Sequence, residues 1–166
     1  MMREVDYMSV AQQVMDQIKK GAFLTAKADD QLNTMAIGWA LVGVVWGKPV
    51  FMVAVRDSRH TFGIIDKAAD FTVTVPSTDV QAQVMYCGTK SGRNVDKYKE
   101  CHLELAEAQK VITPIIKTPG VHFECKIVHK APMDPKFLDR EYEGLYPKKD
   151  YHTLYFGEIL ACYETE

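Results

Sequence analysis

A small antiparallel β-barrel, closed or partly closed and carrying added helices, is the fold class that this sequence predicts. Three observations carry that expectation. Extended stretches recur from Ala22 to Tyr163. Helical periodicity is confined to short runs inserted irregularly between them, so the regular alternation of a doubly wound βαβ fold is absent. Gly38, Gly43 and Gly47 fall inside the densest extended stretch, where glycines mark the bends that a curved barrel needs and a flat sheet does not.

The 166 residues suit one domain, taken as 1–166, because chains of about 100–200 residues bury a single core. Hydrophobic residues make up 47% and charged residues 25%, which argues against disorder and fibrous repeats. With 20 Lys and Arg against 22 Asp and Glu, the basic surface that nucleic-acid binding needs is not indicated. The start, Met1-Met2-Arg3-Glu4-Val5-Asp6, lacks an apolar targeting run, and no apolar stretch reaches the roughly 18 residues of a membrane span. A soluble, cytoplasmic protein is expected. Cys87, Cys101, Cys125 and Cys162 lack CxxC spacing and are read as reduced thiols, with no metal site or disulfide framework.

Val10, Val14 and Ile18 recur at helical spacing between Ser9, read as a cap, and Gly21, which predicts an amphipathic helix. Ala22 to Ala28 is a short strand, and Asp29-Asp30-Gln31 a polar turn. Leu32 to Val55 is rich in β-branched residues and is read as two adjacent strands joined at Gly47-Lys48-Pro49. Ser58 is read as the N-cap of a helix that carries Phe62, Ile65 and Ala69 and ends near Asp70. Phe71 to Pro76 alternates as a half-buried strand, and Thr78-Asp79-Val80-Gln81 matches a capping box that opens the next helix. A loop from Cys87 to Tyr98 and a short helix near Asp96 to His102 follow. Leu103 to Lys117 is ambiguous. Val121 to Lys130 alternates strictly as a strand that Ala131-Pro132 breaks, Phe137 to Lys149 is a long excursion, and Tyr151 to Tyr163 closes the chain as a strand.

Two stretches carry chemistry. The run Val55-Arg56-Asp57-Ser58-Arg59-His60-Thr61 delivers two hydroxyls and two permanent cations to a helix start, a combination that could hold a phosphate monoester without a glycine-rich loop. An ordinary surface helix with solvated arginines is the plainer alternative. The loop Cys87-Gly88-Thr89-Lys90-Ser91-Gly92-Arg93-Asn94-Val95-Asp96-Lys97-Tyr98 has two glycines that let a backbone approach a flat or charged ligand, and Ser91, Arg93 and Lys97 could donate to it. A mobile polar loop would have the same composition.

Asn33-Thr34-Met35-Ala36-Ile37-Gly38-Trp39, Lys48-Pro49-Val50, the Arg56 to Thr61 block, Phe71-Thr72-Val73, Cys87-Gly88, Ser91 to Tyr98 and Gly157-Glu158-Ile159 together resemble the flavin reductase-like domain family, near its flavoredoxin branch. The resemblance implies an FMN-binding split barrel of Greek-key type that forms a homodimer, with the flavin near the subunit interface. It implies a flavin site drawn from Asn33, Thr34, Met35, Ala36, Trp39, Arg56, Asp57, Ser58, Arg59, Thr61, Cys87, Gly88, Ser91 and Lys97, with His152 before the last strand. Within that set, Asn33 and Trp39 lie against the ring and ribityl portion, Arg56 to Thr61 hold the phosphate, and Lys97 sits near the cofactor. Asn94 stands where the family often has an aspartate.

The activity so implied is an FMN-dependent oxidoreductase, with NAD(P)H as donor and free flavin, a metal chelate or a protein as acceptor. The flavin itself would carry the redox chemistry, and His152 could exchange a proton near neutral pH. A non-catalytic FMN electron carrier served by a separate reductase is the alternative, and a barrel that has lost its flavin is a third. Cys87, beside several cations, could be a reactive thiol or a small apolar filler at a helix end.

Overall fold

The computed structural model describes residues 2–166; Met1 lies outside it. In chain order its elements are β1 (Met2–Glu4), α1 (Tyr7–Ile18), β2 (Ala22–Ala28), β3 (Gln31–Ile37), β4 (Ala40–Val45), β5 (Lys48–Arg56), α2 (His60–Ile65), β6 (Asp70–Pro76), α3 (Gln81–Thr89), α4 (Lys97–Glu100), β7 (Leu105–Ala106), β8 (Ile115–Ile116), β9 (Gly120–Pro132) and β10 (His152–Thr165). Short 3-10 turns at Pro135–Phe137 and Arg140–Leu145 occupy the excursion between β9 and β10.

The main sheet is antiparallel in the order β3-β2-β6-β9-β10-β5-β4, with β1 paired to the end of β10. Its two edge strands, β3 and β4, are successive in the chain, with only Gly38 and Trp39 between them. Three Cα steps span at most about 11 Å, so the sheet is rolled until its edges come together there. Leu24, Val53, Phe71, Phe123 and Tyr155 fill the interior, with Phe51 edge-on to Phe123 at 4.9 Å between ring centroids. Helix α1 buries Val10, Val14 and Ile18, one stripe at a four-residue step, against it.

Several sequence expectations are corrected. Asp6, not Ser9, caps α1: its carboxylate accepts from the Met8 amide. Leu32 to Val55 belongs to three strands rather than two, because the chain bends at Gly38 and Trp39, and the hairpin turn is Trp46-Gly47. Both of those residues have positive φ, 54° and 67°, as a two-residue turn matched to strand twist requires. Lys48 and Pro49 are therefore already in β5, opposite Val45 and Val44. Helix α2 stops at Ile65, and Asp70 opens β6.

Strand β6 is buried on both faces, because it lies centrally between β2 and β9 and its threonines find partners. Thr72 donates to the Pro114 carbonyl and Thr74 pairs with His122. For the same reason the first six residues of β9 are buried on both sides, and the strand runs on to Pro132. At α3 the expected capping box does not form: Val80 occupies the cap position, and Asp79 accepts weakly from the Gln81 amide. The pairings of β1 with β10 and of β7 with β8 were not foreseen.

Candidate functional site

Strand β5 ends at Arg56, and a three-residue turn leads into α2. Ser58 does not cap that helix. Arg59 holds the cap position without a side-chain bond, and the Ser58 hydroxyl donates instead to an Asp150 carboxylate oxygen at 3.0 Å. Arg56 Nη1 donates to the other oxygen at 3.0 Å and to the Asp150 carbonyl, and Nη2 to the Leu145 carbonyl. The guanidinium also lies over the Tyr146 ring, 4.8 Å from its centroid. The excursion after β9 is thus strapped onto the end of β5.

A second wall comes from the loop after α3. Gly92 packs so tightly that a Cβ there would lie 2.4 Å from the Asn33 Oδ1 and 2.9 Å from His60, which is the close approach its sequence suggested. Asn33 in turn donates to the Thr61 hydroxyl at 2.8 Å in the buried interior. Lys97, 3% exposed, donates to the carbonyls of Thr34 at 2.9 Å and Cys87 at 2.8 Å. Burial lowers its pKa. The nearby cations act on His60, which is held below its ordinary value by burial and then by Arg93 and Lys97.

These walls enclose a cavity of about 440 Å³, within the usual range of roughly 300–1,000 Å³ for small-molecule sites. Six cations line it, Arg56, Arg59, Lys90, Arg93, Lys97 and Lys148, against the single carboxylate of Asp150. A second cavity of about 180 Å³ is lined by Ala36, Trp39 and His152, and Met35, Arg56 and Arg59 line both. Trp39 and His152 pack with centroids 4.8 Å apart, and Tyr146 Oη lies 2.7 Å from His152 Nδ1.

Of the residues singled out in the sequence, Met35, Arg56, Ser58, Arg59, Thr61, Cys87, Ser91 and Lys97 line the larger cavity, and Ala36, Trp39 and His152 the smaller. Asn33 and Thr34 stand behind the wall as supports for Thr61 and Lys97. Gly88 supports the site through its carbonyl, which accepts from Arg59 Nη1 at 2.8 Å, and any side chain there would press on Ala36. Asp57 is exposed and lines neither cavity; its amide donates to the Tyr151 carbonyl and so turns the chain.

One chemical expectation changes, and Cys87 follows the filler reading. Burial, and then Arg56, push His152 down to about 4, so it is neutral near pH 7 and not poised to exchange a proton there. Burial pushes the Cys87 thiol up to about 12, the behaviour of a packed filler rather than a reactive thiolate. The sequence reading missed Asp150 and Tyr146, whose only signal was the aromatic, charged excursion that contains Tyr146 and ends beside Asp150.

A cationic cavity that shares a wall with an aromatic-lined one fits a flat ring system that carries a phosphate. Comparison with known proteins agrees. The chain matches the model of the flavin reductase like domain over residues 17–166, and it belongs to that family. A flavoredoxin from Methanosarcina acetivorans superposes with a TM-score of 0.68 at 27% identity, covering 88% of this chain and 68% of that one. An FMN-binding protein from Thermus thermophilus gives 0.68 at 21% identity, covering 87% and 69%. The fold is that of the FMN-binding split-barrel proteins. An uncharacterised protein of Archaeoglobus fulgidus is 28% identical over 138 residues, 83% of this chain and 68% of its own length. Among the described residues no helix is long and apolar enough to cross a membrane.

Proposed function

We propose that this protein is an FMN-dependent oxidoreductase, a single domain over 1–166, that takes electrons from NAD(P)H and passes them to free flavin, a metal chelate or a protein acceptor. The observation that carries this reading is the adjacency of two cavities that share Met35, Arg56 and Arg59 in their walls, one lined by six cations and the other walled by Trp39 and His152. When bound, the flavin supplies the electron transfer. Arg56, Ser58, Arg59 and Thr61 grip its phosphate, where charge-assisted bonds are strongest. Thr61 is suited to this because its oxygen accepts from Asn33, which directs its own proton elsewhere. Trp39 offers a flat apolar surface to the ring. Lys97 adds a positive charge to the wall of the larger cavity, fixed there by the Thr34 and Cys87 carbonyls, and His152 is held in one orientation by Tyr146.

A homodimer in the cytoplasm completes the proposal. Edge strand β4 and its turn expose Leu41, Val44 and Trp46, an unprotected apolar edge of the kind that pairing covers.

The visible spectrum of freshly purified protein, with identification of the chromophore released by heat, tests the cofactor. Steady-state oxidation of NADH and NADPH tests the reaction. A second reading, an FMN electron carrier without turnover of its own, is favoured by the 27% identity to a flavoredoxin. It is the correct one if the yellow protein oxidises neither nucleotide. A colourless protein that takes up no FMN would leave only an interaction module.

A further inference from the structure

The strap between β9 and β10 puts a carboxylate where the sequence places an anion site. Asp150 Oδ1 accepts from Arg56 and Oδ2 from Ser58, so two of the four groups assigned to a phosphate already hold an anion from the same chain. This is no loose surface pair, since the Arg56 and Asp150 side chains are only 22% and 21% exposed. Lys149, in the left-handed region at φ 56°, turns the chain just before Asp150, a conformation that costs a non-glycine residue free energy. Asp150 is also the one acidic group among the residues that line the larger cavity.

We propose that Asp150 is a specificity-determining residue of this cavity: as a built-in anion it competes for Arg56 and Ser58, and so sets how strongly the site prefers a phosphorylated flavin to an unphosphorylated one. The inference rests on the flavin reading given above. Among the described residues Arg59 and Thr61 have no carboxylate partner, and they remain the primary phosphate donors. Arg56 and Ser58 are shared between the ligand and the strap. A dianionic ester entering the cavity meets a like charge within a few ångströms, and like charges that close typically disfavour one another by an order of magnitude or more in equilibrium. The ring and ribityl portions carry no such charge and do not feel it.

Equilibrium titration of the full-length protein with FMN and with riboflavin, followed by flavin fluorescence, reads the preference as a ratio of dissociation constants. Asp150→Asn keeps the side chain's shape and removes its charge. The expected result is a ratio shifted roughly tenfold toward FMN, with riboflavin affinity unchanged. If Asp150 merely holds Arg56 and the strap in place, both flavins weaken together; a ratio that is unchanged, or that moves toward riboflavin, overturns the proposal. Should Asp150→Asn fail to fold, the same ratio is read on Asp150→Ser with the same criterion. Wild-type protein that binds neither flavin overturns the flavin reading itself, an outcome separate from a wild type that binds FMN while the ratio stays fixed.

Discussion

Two parts of this molecule match charge in opposite ways. Around Thr61 the cavity wall collects six cations, and apart from the contact with Asp150 their identified partners are carbonyl oxygens: Arg59 on Gly88, Arg93 on Ser58, Lys97 on Thr34 and Cys87. On the β6 and β9 side two carboxylates are buried, and both are satisfied by the protein itself. Glu124 accepts from the Gln109 and Lys110 amides and the Tyr163 hydroxyl, and Asp70 from the Ile112 and Thr113 amides. The carboxylates close their own bonds and pin a loop that has almost no regular structure. The cations leave donors pointing into a cavity. Charge that is fully matched inside the chain serves as scaffold, and charge left in excess around a void is what the proposed ligand site is built from.

The largest effect should come from the cationic side. Replacing Arg59 and Thr61 together by alanine removes charge-assisted bonds worth about 1.5–3 kcal/mol each, so FMN affinity should fall by about 100-fold or more in a fluorescence titration, and Arg59→Ala alone, which leaves the buried Asn33–Thr61 bond intact, should weaken FMN with thermal stability little changed. Glu124→Gln should do the reverse. An amide cannot accept at both positions, which leaves a buried donor unmet at a cost of about 1–3 kcal/mol. The melting temperature should drop by about 3–10 °C, with FMN affinity within about twofold of wild type. If Glu124→Gln weakened FMN as much as it weakened the fold, the division between the two regions would be wrong.

Acid provides a subtler probe of the scaffold. Burial pushes His122 and His152 down to about 4, below the value near 6.5 of an unfolded histidine. The unfolded state therefore binds more protons between those values, so stability is whole above about pH 6.5 and is lost as the pH falls toward 4. For His122, which pairs with Thr74 and Thr165 in the interior, the loss should reach up to about 3 kcal/mol. Denaturant midpoints measured from pH 7 to pH 4 would show it, and His122→Gln should flatten the curve. The smallest effect concerns the thiols. All four cysteines are free and buried, and burial raises Cys87 to about 12, so a thiol reagent at pH 8 should modify the folded protein only at the rate of its unfolding. Cys87→Ser should leave turnover unchanged.

How much of this was legible beforehand divides along physical lines. Local signals read well: Ala22–Ala28, the turn at Asp29 and Asp30, and the long strands at Val121 and Tyr151 all lie where β-branched residues and turn formers put them. What failed was set by distant partners. Strand β6 looked half-exposed because Thr72 and Thr74 are polar, yet Pro114 and His122 satisfy them in the interior. Ser58 looked like a cap because nothing local says that Asp150, 92 positions away, will take its hydroxyl. The site followed the same rule. Its motif residues lie together as their order implied, whereas Asp150 and Tyr146 arrive from a strap whose docking no periodicity announces. His152 lines the smaller cavity, but its neutral state depends on burial against Trp39 and Tyr146.

The central claim is that the six-cation cavity is a flavin phosphate site, and equilibrium titration of the apoprotein with FMN tests it most directly. Saturable quenching of flavin fluorescence at one FMN per chain is expected, weakened strongly by the Arg59 and Thr61 substitutions and competed by inorganic phosphate. Unquenched fluorescence at every protein concentration, or binding indifferent to both substitutions and to phosphate, would contradict it.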